Sequence, residues 1–122
     1  MSIDKVIKPG QIFVFGSNLK GYHGAGAAAE AVEKYGAVMG IGEGLQGHAY
    51  ALPTKDERLV TLPLYKIEEH VHRFLVYAAS FPKMQFFVTR VGCGLAGLTD
   101  EQMGPLFKGA PSNVELPHGW GT

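Results

Sequence analysis

The chain has 122 residues, enough for one domain and too few for two, and 46% of them are hydrophobic against 18% charged, a balance that excludes intrinsic disorder. Eleven Lys and Arg offset eleven Asp and Glu, so the broad positive surface that grips a nucleic-acid backbone is not expected. Cys93 is the only cysteine, which removes any intrachain disulfide and gives no sign of an oxidising compartment. The segment Met1 to Lys5 shows no signal-peptide pattern and no apolar run approaches membrane-spanning length, so the expected setting is cytoplasmic with no membrane partner.

Ile12 to Phe15 is a short aromatic and β-branched run between Pro9-Gly10 and Gly16-Ser17-Asn18, the pattern of a buried strand. Gly24 to Tyr35 is alanine-rich and stops at Gly36, the pattern of a helix with a left-handed cap. The glycine-rich stretch from Gly40 to Gly47 is expected to be irregular. His48 to Leu52 predicts a second strand, broken at Pro53. Leu59 to Leu64 fits a strand or a turn.

Ile67, Val71, Phe74, Leu75 and Ala78 recur at helical spacing and predict an amphipathic helix over about Tyr65 to Ser80, ended by Phe81-Pro82. Gln85 to Val91 is the clearest strand. Thr99 with Gln102 matches a capping box and starts a helix from Asp100 to about Lys108, because each side chain can satisfy the other's free backbone N–H. Asn113 to Leu116 predicts a last strand, and residues 118–122 a loose tail. Strands alternating with helices over 1–122 predict a single α/β domain with a mostly parallel, helix-covered sheet.

Seventeen glycines in 122 residues are about twice the average share of roughly 7%. Two of their clusters, 16–26 and 92–97, lie between a predicted strand and a predicted helix. In a parallel sheet such loops gather beyond the carboxyl ends of the strands. There, backbone N–H groups and the helix dipole favour an anion without any lysine. One such loop reads as a tight turn; two beside helix starts, with a third nearby, read as a phosphate site. Gly92-x-Gly94-x-x-Gly97, with Glu115 downstream, also fits the dinucleotide fingerprint. The room left after it holds one further strand, against a Rossmann fold.

Gly16-Ser17-Asn18 followed by His23-Gly24-Ala25-Gly26-Ala27-Ala28 resembles the macrodomain signature. Arg90-Val91-Gly92-Cys93-Gly94-Leu95 resembles the second phosphate loop of that family, closest to its terminal ADP-ribose glycohydrolase branch. Tyr50-Ala51-Leu52-Pro53-Thr54-Lys55 is similar to that branch's central strand and following loop. The resemblance implies a compact three-layer fold and a small-molecule partner, ADP-ribose or a related nucleotide. It implies ligand contacts at Gly16, Ser17, Asn18, Gly24, Ala25, Gly26, Gly92, Cys93, Gly94, Leu95, Ala96 and Gly97. Asn18 matches the asparagine that meets the distal ribose, and Lys55 sits near that branch's catalytic lysine. That branch carries an aspartate where this chain has Ala96.

Asn18, His23 and Lys55 are the candidate catalytic groups if the domain is an ADP-ribosyl hydrolase. Asn18 can equally serve a turn, and Lys55 can be a surface charge. A binding module that reads or sequesters the ligand is the favoured alternative, since the two matched loops contain no Asp or Glu and the glycine-rich stretch between them supplies only Glu43. An interaction protein that merely keeps the fold is the third. Cys93 reads as a packing residue sooner than as a nucleophile. The five histidines lack metal spacing, with His70 and His72 on different helix faces, so neither metal nor cofactor is expected. Tyr22, Gln46, Tyr50 and Trp120 are candidates to line a base or ribose pocket.

Overall fold

The computed structural model describes residues 5–122; Met1 to Asp4, read above for a signal pattern, lie outside them. Five strands form one sheet: β1 Gln11–Asn18, β2 Gly44–Gln46, β3 Ala49–Lys55, β4 Gln85–Val88 and β5 Val114–Glu115. Their spatial order is β2-β3-β1-β4-β5. β1 pairs in parallel with β3 and β4, and β4 in parallel with β5; only β2 runs antiparallel, on β3. The helices are α1 Gly26–Tyr35, α2 Leu64–Ser80 and α3 Asp100–Met103, the last running into a 3₁₀ turn at Gly104–Phe107. Mixed α/β architecture with a mostly parallel sheet is thus what the alternation of elements predicted. Among the described residues no helix is long and apolar enough to cross a membrane.

Side chains alternate between the two faces of the sheet with the period of two that a pleated strand imposes. Phe13, Phe15, Ala49, Ala51 and Phe87 pack with Ala28 and Ala31 of α1. Ile12, Val14, Tyr50, Leu52, Phe86 and Val88 pack with Ile67, Val71, Phe74 and Ala78 of α2 and with Met103 and Phe107. Alanines on α1 and on β3 let that helix lie close over the phenylalanines of β1. Asn113, buried ahead of β5, donates its Nδ2 to the carbonyls of Ala78, Phe81 and Met84 at 2.9, 3.1 and 2.9 Å. It thereby closes the carboxyl end of α2, whose last carbonyls have no partners within the helix.

Four expectations are corrected. The stretch from Gly40 to Gly47 is not wholly irregular: Gly44–Gln46 pairs with Ala49–Ala51 across a tight turn at Gly47, φ +60°. Next, β3 does not break at Pro53 but continues to Lys55. β2 reaches only Ala51, so the missing N–H of Pro53 deprives that outer neighbour of no ladder bond. Third, the 118–122 segment is anchored. Trp120 is 5% exposed, its ring lies 5.3 Å from Phe107, and Gly121 N–H donates to the Gly104 carbonyl at 3.0 Å. Fourth, the strand predicted to Val91 stops at Val88, and the undecided 59–64 stretch contributes one bridge, Thr61 to Lys55.

Candidate functional site

From β1 the chain crosses to β3 on one side, and from β4 to β5 on the other. The carboxyl ends of β1 and β4 therefore part at a topological switch point, where parallel sheets open a crevice. A cleft of about 650 Å³ occupies that place, inside the roughly 300–1,000 Å³ of small-molecule sites. The two glycine loops singled out in the sequence meet in it: Gly16, Ser17, Asn18, Gly24, Ala25 and Gly26 on one side, Gly92 to Ala96 on the other.

The first wall is shaped by Asn18. Its Oδ1 accepts from Tyr22 N–H at 2.9 Å and its Nδ2 donates to the Tyr22 carbonyl at 2.8 Å. This closes the loop after β1 and leaves the ring of Tyr22 against Gly24. The chain then enters α1 through Ala25, which has extended backbone but no side chain able to cap, and the first turn holds no acidic residue. Among the described residues the N–H groups of Gly26, Ala27 and Ala28 have no acceptor. Ser, Thr, Asp or Asn would normally satisfy them; alanine leaves them open on the cleft.

The second wall is the turn after β4. Cys93 N–H donates to Arg90, Gly97 N–H to Gly94 and Leu98 N–H to Gly92, at 3.1, 3.0 and 2.8 Å. Gly92 takes φ +81°, a conformation that strains any other residue. Folding the turn this way leaves the N–H groups of Gly94, Leu95 and Ala96 without acceptors among the described residues. Successive free N–H groups are the donors that anion-binding concavities use.

A third wall follows β3. Asp56 Oδ1 accepts from Arg58 and Val60 N–H at 2.8 and 3.0 Å, which curls the chain so that Leu59 adopts φ +64° beside the cleft. Thr61 Oγ1 donates to the Ala96 carbonyl at 2.8 Å and ties this wall to the second. Lys55 lines the cleft, and among the described residues no carboxylate lies within 4.0 Å of its ammonium. Arg90 lines it as well and pairs with Asp100. The ionisable side chains of the lining are thus Tyr22, Lys55, Arg90 and Cys93. Burial, with Asp100 adding to it, pushes the Cys93 thiol up from its ordinary value, which keeps it protonated and supports its reading as a packing residue.

Several sequence candidates lie elsewhere. His23 is buried beneath the cleft loop and does not line the cleft; its ring stands edge-on to Phe15 at 5.0 Å and its Nε2 meets the Ile41 carbonyl at 3.0 Å. Gly97 ends the second turn at φ +78° and also falls outside the lining. Of the base-pocket candidates only Tyr22 lines the cleft. Gln46 holds Val38 N–H at 2.8 Å, Tyr50 packs on Phe74 at 4.9 Å, and Trp120 packs on Phe107. Glu43 is engaged by His70 and Arg73 at 2.8 and 3.1 Å. Thr54, Leu59, Thr89 and Arg90 line the cleft and were not singled out. Arg90 opens the recognised loop motif without having been assigned a role, whereas Leu59 reaches the cleft only through the Asp56 turn.

Compared with family models, with curated proteins and with solved structures, the chain matches none.

Proposed function

We propose that this domain binds ADP-ribose or a related nucleotide, with the phosphates held on the free N–H groups of the two cleft loops. The observation that carries the reading is convergence. Two glycine loops about 70 residues apart in sequence, each suggesting an anion site by its own chemistry, line one cleft. Lys55 and Arg90 add positive charge, and Tyr22, Leu59 and Leu95 offer apolar surface for the rest of such a ligand. A sheet with α1 on one face and α2 on the other agrees with the three-layer macrodomain-like fold that the resemblance implies.

Reading or sequestering the ligand is favoured over hydrolysis. Hydrolysis calls for a general acid or base beside the scissile bond. Ala96 stands where the hydrolytic branch presents aspartate, and Asn18 has both polar atoms of its side chain committed to Tyr22. One observation favours the hydrolase alternative: Lys55 lines the cleft and meets no carboxylate among the described residues. A turnover assay on ADP-ribosylated protein with native, Lys55→Ala and Asn18→Ala chains decides between them. The expected result is no release by the native chain. Robust release that vanishes in Lys55→Ala would establish the hydrolase.

A further inference from the structure

The carboxylate of Asp100 joins the cleft loop after β4 to the carboxyl-terminal turn. Its Oδ1 accepts from the indole Nε1 of Trp120 at 2.8 Å, and its Oδ2 takes Nη2 of Arg90. Trp120 is itself fixed, 5% exposed, against Phe107 and beside Gly104. Arg90 lines the cleft, and its side chain is 46% exposed. Among the described residues the guanidinium of Arg90 has one acceptor, Asp100 at Nη2, and none at Nε or Nη1. One edge of a planar, five-donor group is therefore held, and the remaining donors stay available at the cleft.

A guanidinium offers phosphate two parallel N–H donors, a match that a point-charge ammonium cannot make. Its weakness on a free surface is the rotamer freedom lost on binding. The Trp120–Asp100 pair removes that freedom before any ligand arrives.

We propose that Arg90 is a phosphate-recognising group of the cleft and that Asp100 and Trp120 are its positioning residues, so that the carboxyl-terminal turn sets the cleft's affinity for anions. The inference rests on the phosphate-binding reading above. Trp120→Phe keeps an aromatic ring beside Phe107 and the charge of Asp100, and removes the N–H that steers the carboxylate together with part of the buried indole. Arg90→Ala removes the group being steered.

The test is calorimetric titration with ADP-ribose, ADP and inorganic pyrophosphate of the native chain, both single variants and the double variant. Arg90→Ala is expected to weaken ADP-ribose binding about tenfold, the effect of one charge-assisted contact. Trp120→Phe is expected to weaken it roughly threefold through lost preorganisation. In the Arg90→Ala background, Trp120→Phe should change nothing, an outcome that general loosening of the fold would not produce. Equal losses in both backgrounds, or no loss from Trp120→Phe, would overturn the inference while leaving the phosphate reading intact. Silence of the native chain toward all three probes defeats that reading and this inference together. Should Trp120→Phe fail to fold, Asp100→Asn replaces it; because it also takes a negative charge from beside the cleft, the cycle is read by whether its effect differs between the native and Arg90→Ala backgrounds, and an equal effect in both would overturn the inference.

Discussion

Placing an aspartate at residue 25 sets the stability of the fold against its occupancy. Ala25 is the N-cap of α1, with φ −153° and ψ 162° and no side-chain hydrogen bond. That extended backbone is the one from which aspartate caps a helix by accepting from the second or third N–H, here Ala27 or Ala28. Ala25→Asp should therefore stabilise the protein by about 1 kcal/mol, roughly 3–5 °C in Tm for a domain of this size. The same carboxylate takes the N–H groups assigned to phosphate and adds a negative charge beside them. Losing two charge-assisted hydrogen bonds at about 1.5–3 kcal/mol each corresponds to a fall of roughly 10²–10⁴-fold in affinity. Calorimetry with ADP-ribose and a thermal melt of the same preparation measure both effects. A variant that melts higher yet binds ADP-ribose as tightly as the native chain would refute the assignment of phosphate to the start of α1.

Gly94→Val tests the second wall, because a Cβ there meets nothing within 4 Å and φ lies outside the left-handed region. It should leave the melting temperature within the few tenths of a kcal/mol of an ordinary surface change and abolish ADP-ribose binding; normal binding would remove that turn from the site. Gly24 and Gly26 are poorer tests, since a Cβ on Gly24 meets the Tyr22 ring and Gly26 sits at φ +57°. Asn113→Ala should destabilise the fold by about 1–3 kcal/mol by orphaning carbonyls at the end of α2, read as a lower urea midpoint without change in ligand affinity. Burial, with the Glu43 charge adding to it, pushes the Tyr50 phenol from 10.0 up to about 12. The folded chain then holds this proton more tightly than the unfolded one. The stability tied to it is whole below pH 10 and falls as pH rises from about 10 to 12. Tyr50→Phe should show a shallower loss of Tm across that window, and an unchanged slope would contradict the assignment.

The sheet and its long helices were legible because their signals are local and redundant. The period of Ile67, Val71, Phe74 and Ala78 and the capping box of Thr99 and Gln102 both appear in the structure where the residues predicted them. β2 was not, because Gly44-Leu45-Gln46 has no alternation of its own and becomes a strand only by pairing with Ala49–Ala51. The 118–122 segment looked loose for a related reason, since Trp120 is buried by Phe107 and Asp100, partners that no local pattern reveals. Within the cleft, backbone-lining positions were readable from glycine spacing, which reports chain geometry directly. That His23 does not line the cleft was not readable, because its burial beside Phe15 and Ile41 is a tertiary fact that its polarity does not reveal. Leu59 and Arg90 reach the cleft through a turn and an ion pair that only the folded chain assembles.

The most direct test of the account is whether ADP-ribose binds the native chain. Binding confined to the folded state raises the melting temperature by mass action, by about 2.7 kcal/mol of stability when ligand stands at a hundred times Kd. The account predicts a saturable calorimetric titration with one site per chain and an upward shift in Tm that grows with ADP-ribose concentration. It also predicts weaker heats with AMP, which lacks the second phosphate needed to span the two loops. No heat and no shift at millimolar ADP-ribose, with ADP, NAD and AMP equally silent, would contradict it.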